Sequence, residues 1–198
     1  MAKKRSAKYS RKTQETSITV SLVIDGSGKH SISTGVAFFD HMLSLFSKHG
    51  LFDLTLKAKG DIEVDYHHTV EDVGISLGES FKKALGKKAR IERYGDAKVP
   101  MDEALSEVVI DISGRPHLTY NVSIMKKRFI DFDTEVVKEF FEAFVLHAGM
   151  TIHINLIRGK NMHHILESIF KAFGVALSKA CAISPRKKGI PSTKGILE

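Results

Sequence analysis

The stretch "YHHTVED", residues 66–72, sets two adjacent histidines ahead of a glutamate, and "MHHILES", residues 162–168, does so again. His67, His68 and Glu71 share their spacing with His163, His164 and Glu167. In a chain with ten histidines a chance repeat of this unit is rare, so internal duplication is the physical reading. The surrounding sequence agrees. "TSITVSLVID" (16–25) alternates apolar and polar residues as a half-buried strand does, "SISTG" is a second short strand, and "AFFDHMLSLFSKHG" (37–50) has helical spacing with Gly50 as its cap. "LFDLTLKAKG" and "IEVDY" return to alternation before the helical run that starts at the first histidine pair. The second half replays the order: strands in 106–114 and 117–124, a helix over 134–149, a strand over 150–159 and a helix over 163–181. Residues 11–95 and 96–190 are therefore two pseudo-repeats, and with no linker between them they form halves of one α+β domain.

Composition bounds the function. At 198 residues the chain can bury one sizeable core, and 42% hydrophobic with 27% charged residues is ordinary for a globular protein. No apolar run reaches membrane-spanning length, and "MAKKRSAKYSRK" lacks the apolar segment of a secretory signal. Cys181 is the single cysteine, which excludes a disulfide framework and fits a cytoplasmic protein. The net charge of +7 gathers at the ends. Residues 1–10 read as a disordered basic tail, and "PRKKGIPSTKG" (185–195), rich in Ser, Thr, Gly and Pro, reads as a phosphate-binding loop.

Each histidine pair lies where a strand hands over to a helix. Residues four apart share a helix face, so His67 can converge with Glu71 and His163 with Glu167. The second histidine of each pair, about 100° round the helix, points elsewhere. One unit can thus serve two metal ions, or one ion and a substrate. Imidazole and carboxylate donors suit Mn, Fe, Zn or Co, and the lack of thiolates argues against structural zinc. His41 and Glu139 occupy apolar helical stripes and are further candidates. His30, His49, His117, His147 and His153 read as core, turn or strand-end residues.

"FFDHML", "YHHTVEDVGI", "PMDEAL", "SGRPHL", "GKNMHHILESIFKAF" and "PSTKG" occur in an order that resembles the imidazoleglycerol-phosphate dehydratase family, from about Arg11 to Leu197. The likeness is to the monofunctional form, without a fused phosphatase. It implies that 11–198 is a single dehydratase domain with a duplicated ribosomal-S5-domain-2-like fold, helices packed between two sheets. It also implies an octahedral homo-oligomeric shell of 24 subunits with active sites at subunit interfaces, and two Mn2+ per site. The ligands carried over are His41, His67, His68, Glu71, His163, His164 and Glu167, with Glu139 where many members have histidine. The substrate contacts carried over are Glu15, Arg93, Arg115, Lys171, Ser192 and Lys194.

The implied reaction converts D-erythro-imidazole-glycerol phosphate to imidazole-acetol phosphate in L-histidine biosynthesis. It removes a proton from a carbon that no carbonyl acidifies. The ring must supply the electrons that expel the neighbouring hydroxyl, through a dimanganese-bound imidazolate and a diazafulvene-like intermediate. Glu167 is assigned as the base and Glu15 as the acid or water-positioning group. Two other classes share some features. A dinuclear metallohydrolase would use the same donors but release phosphate. A nucleic-acid-binding module would use the charge, but it leaves both histidine pairs unexplained and has no aromatic platform. The expected partner is the small phosphorylated imidazole, with neither nucleic acid nor membrane.

Overall fold

The computed structural model describes residues 4–123 and 132–197, and the backbone of 128–129 between them. The first half runs β1 (Ser6–Lys12), β2 (Thr16–Val23), β3 (His30–Ser33), α1 (Ala37–Gly50), β4 (Asp53–Gly60) and α2 (His67–Leu85). The second runs β5 (Tyr94–Met101), β6 (Ala104–Asp111), β7 (His117–Asn121), a small hairpin of β8 (Arg128–Phe129) and β9 (Phe132–Asp133), then α3 (Glu135–Ala148), β10 (Thr151–Arg158) and α4 (Met162–Cys181). The first sheet has the order β1-β2-β4-β3 and the second β5-β6-β10-β7. In each, the first three strands in that order are antiparallel neighbours, and the last joins parallel through a helical crossover.

Four sequence expectations need correction. Of the supposed tail, residues 1–3 lie outside the described residues, but Ser6–Lys12 is an edge strand paired with β2 along its whole length. Its period of two was hidden by its charge. Ser6, Lys8, Ser10 and Lys12 face outward, while Ala7, Tyr9 and Arg11 are half-buried. Arg11 reaches Asp72 of α2 at 2.8 Å, and Lys83 sits 4.4 Å from the Tyr9 ring centroid. β5 is its counterpart in the second half, so the repeats run over 6–85 and 94–181. Residues 62–66, expected as a strand, form a turn because both edges of β4 are taken by β2 and β3. Gly50 is not the cap of α1. Leu51 adopts the left-handed conformation there (φ 58°), and Gly50 serves close packing instead. The strand expected over 117–124 ends at Asn121, and residue 124 lies outside the described residues.

The helices lie between the sheets. α2 packs on β1 and β2, α4 on β5 and β6, and the halves join through α1 with α4 and α2 with α3. The joints are close. A Cβ at Gly78 would stand 2.7 Å from the Phe144 carbonyl oxygen, and one at Gly174 2.5 Å from that of Phe46. Fully buried phenylalanines fill the space around them. Phe46 stacks on Phe173 with ring centroids 4.8 Å apart, and Phe39 meets Phe140 edge-on at 5.4 Å. Each such side chain contributes about 2–3 kcal/mol relative to exposure. The resulting rigidity holds the helix N-termini in place.

Candidate metal centre

Both histidine pairs sit in the first turn of a helix. In α4 the cap is Asn161, whose side chain accepts from the backbone N–H groups of His163 and His164. α2 has no side-chain cap, but Asp65 accepts from the His67 N–H at 2.8 Å. A run of rings, Tyr66, Phe132, Phe38 and His163, links the two helix starts with centroid separations of 6.3, 5.1 and 5.3 Å.

The tightest donor group crosses the halves. His41 from α1 meets His163 and Glu167 from α4, and their ligand atoms all lie within 4.8 Å of one another. The Glu167 Oε2 is 3.1 Å from His163 Nε2 and 3.6 Å from His41 Nε2. Lys171 pairs with its other oxygen. Glu167 is buried. Burial alone would raise its carboxyl, but Lys171, His41 and His163 together hold it below the usual carboxylate range. It is therefore an anion at neutral pH, suited to hold a cation. In the other half, His67 Nε2 lies 3.6 Å from Glu71 Oε2. Glu139 occupies the fifth position of α3 as His41 does of α1. It is not gathered with His67 and Glu71; among the described residues, His41, His163 and Glu167 are the one such trio.

The second histidines face other carboxylates. His68 has Nδ1 3.0 Å from Asp61 and Nε2 3.9 Å from Glu15. His164 has Nδ1 2.6 Å from Glu103 and Nε2 3.8 Å from Asp102. The His163 and His164 rings are inclined at 78°, those of His67 and His68 at 90°. Hydrogen bonding to Asp61 and to Glu103 raises the two second imidazoles above their ordinary value. Glu103 is pulled down to about 2 by His164 and by the Asn161 N–H. Sequence reasoning missed Asp61, Asp102 and Glu103. "PMDEAL" stood out as a motif, but nothing in its spacing ties a β-turn to a helix start sixty residues on.

The expected anion-binding residues lie elsewhere in the chain. Arg93 precedes β5, and its N–H donates to the carbonyl of Ala180 in the last turn of α4. Its guanidinium closes on Asp111 at 2.7 and 3.1 Å and donates to the Pro191 carbonyl at 2.9 Å, so it fastens the loop that carries Ser192 and Lys194. Arg115 is exposed in the β6–β7 turn, three residues after Ile112, whose N–H bonds the Arg93 carbonyl. Lys171, by contrast, is with Glu167. Twenty residues of α4 separate the two ends, about 30 Å at 1.5 Å per residue. One chain thus holds its metal-type donors and most of its anion-type donors at opposite ends of a helix.

Comparison with known proteins gives a consistent result. The family described as imidazoleglycerol-phosphate dehydratase matches residues 34–177. A relative of that name from Caldanaerobacter subterraneus subsp. tengcongensis is 58% identical over 193 residues, covering 98% of this chain and 100% of the relative. One from Acetivibrio thermocellus is 56% identical, with coverages of 98% and 99%. Among solved structures, the dehydratase from Pyrococcus furiosus aligns at TM-score 0.83 and 38% identity, covering 96% of this chain and 100% of that one. The dehydratase from Staphylococcus aureus aligns at TM-score 0.80 and 43% identity, with coverages of 90% and 99%.

Proposed function

The chain belongs to the imidazoleglycerol-phosphate dehydratase family, and we propose that it dehydrates D-erythro-imidazole-glycerol phosphate in L-histidine biosynthesis at a site completed only between copies of itself. The separation of donors along α4 carries this reading. A substrate with an imidazole ring and a phosphate a few bonds apart cannot reach both ends of that helix in one subunit. A neighbouring copy has to bring its Arg115, Ser192 and Lys194 to the histidines of the first. A closed shell of 24 identical subunits supplies such contacts repeatedly. Among the described residues no helix is long and apolar enough to cross a membrane, and we place the enzyme in the cytoplasm.

The donor set fits a divalent transition metal. His41, His163 and Glu167 would hold one Mn2+, and His67 and Glu71 a second, with Glu139 as the further donor that the resemblance alone supplies. His68 and His164, turned away from these groups, would ligate toward the adjoining copies. When bound, the two ions supply Lewis-acid stabilisation of negative charge on the ring nitrogens.

The chain's own residues account for the rest. Lys194, Ser192 and Arg115 bind the phosphate, while Arg93 positions the loop of Ser192 and Lys194 through Pro191. The ring's electrons expel the adjacent hydroxyl, which leaves as water after taking a proton from Glu15. Glu167 takes the carbon-bound proton of the diazafulvene-like species, and the resulting enol tautomerises to the ketone. Lys171 keeps the Glu167 carboxylate ionised beforehand, with the proton absent from Oε1 and Oε2 alike.

Exhaustive chelation is expected to abolish turnover and to shift the shell toward smaller oligomers in light scattering, with Mn2+ restoring both. Undiminished turnover in verified metal-free protein refutes the reading. Release of inorganic phosphate from the substrate would mark the hydrolase chemistry instead.

A further inference from the structure

We infer that Asp61 and Glu103 are positioning residues that fix His68 and His164 as ligands through Nε2. The inference rests on the metal reading above. Each carboxylate meets a ring at Nδ1, Asp61 on His68 at 3.0 Å and Glu103 on His164 at 2.6 Å. A carboxylate only accepts, so Nδ1 must carry the hydrogen. In a neutral imidazole the free lone pair then lies on Nε2. The ring is also held against rotation, which matters because a ligand nitrogen in the wrong direction is no ligand.

The two halves reach this arrangement by unrelated routes. Asp61 follows β4, seven residues before His68, and the residue seven before His164 is Ile157. Glu103 arrives instead from the β5–β6 turn. The matching turn between β1 and β2 carries Glu15, which stands 3.9 Å from Nε2 of His68 and not at Nδ1. Duplication would copy one carboxylate position into both halves, yet the positions differ while the contacted atom is the same. What they share is a requirement on the ring. Folding alone does not reward Asp61 for its place, since its Oδ1 is buried with no hydrogen-bond partner among the described residues. Glu103 does more. Its Oε1 accepts from the N–H groups of Lys160 and Asn161, so the same side chain sets the cap of α4.

Mn2+ titration of the metal-free, full-length protein, followed by the electron paramagnetic resonance of free Mn2+, tests this without reference to turnover. Asp61→Ala should weaken binding at the affected site roughly 10- to 100-fold. The number of sites should stay the same, and the thermal midpoint of the metal-free protein should not fall. Asp61→Asn should recover most of the affinity, because its amide oxygen accepts the same hydrogen. Glu103→Ala should act in the same direction but also disturbs the α4 cap, so the Asp61 series decides. His68→Ala separates the two levels of argument. If it binds Mn2+ as the unaltered protein does, the metal reading fails at that residue. If it loses affinity while Asp61→Ala binds normally, the metal reading survives and the positioning role is overturned.

Discussion

Replacing Gly174 by alanine should damage the fold and the metal centre together. The new Cβ would lie 2.5 Å from the carbonyl oxygen of Phe46 and 3.1 Å from the amide nitrogen of Gly50. Both are backbone atoms of a packed helix and cannot swing aside as a side-chain tip does. Relief to an ordinary contact requires α1 and α4 to part by roughly 0.9 Å in a close-packed interior. Overpacking of this kind costs about 1–3 kcal/mol, while alanine recovers up to about 1 kcal/mol of helix propensity. The net loss is about 1–2 kcal/mol, which for a chain of this size lowers the thermal midpoint by about 3–6 °C. The same displacement moves His41 relative to Glu167, now 3.6 Å apart across that joint. Mn2+ should therefore bind more weakly even where the variant is fully folded. Unfolding of the metal-free protein followed by circular dichroism, with Mn2+ titration at 25 °C, reads both effects. An unchanged midpoint together with unchanged Mn2+ affinity would refute the argument that backbone contact at Gly174 sets the α1–α4 spacing.

Two further outcomes follow from the first sheet. Deleting residues 1–12 removes β1, with the Arg11–Asp72 ion pair and the cover over one flank of α2, so the protein should melt lower and aggregate from the bared β2 edge; an unaltered midpoint would return these residues to the status of a tail. Asp25 is held below its ordinary value by its hydrogen bonds with Arg5, so its contribution is complete above about pH 4 and is lost as pH falls through the folded value. The pair is partly exposed and worth about 1 kcal/mol or less, and the midpoint gap between the unaltered protein and Asp25→Asn should narrow as acid-titration melts pass downward through the carboxylate range; a gap that does not narrow would contradict the assignment.

The helices were legible because burial on one face leaves a period that composition does not mask. "AFFDHMLSLFSKHG" is α1 residue for residue, and the other three helices begin within a residue of where the pattern placed them. β1 was not legible, because an edge strand needs only one weakly apolar face and its three inward residues include Arg11. β5 was obscured in the same way, by Pro100 and by exposed Asp96 and Lys98 alternating with small buried Gly95 and Ala97. The turn at 62–66 erred in the other direction. Ile62 and Val64 alternate as strand residues do, yet both are exposed, since a strand also needs a free neighbour and none remained.

The histidine pairs stood out in the sequence, but spacing alone did not say which of them His41 would meet, and the topology explains why. Along the chain His41 is closest to His67 and His68. The sandwich pairs it otherwise. With both sheets outside, a helix can bury its second flank only against a helix of the other half, so α1 meets α4 and α2 meets α3. His41 is thereby delivered to Glu167 and His163, more than a hundred residues away, while α3, which carries Glu139, packs on α2. Cross-packing of the two halves is what brings a donor of the first to the donors of the second. On the proposed metal reading, the second half expressed alone would keep His163, His164 and Glu167 but lose His41, and its Mn2+ affinity should fall even where it folds.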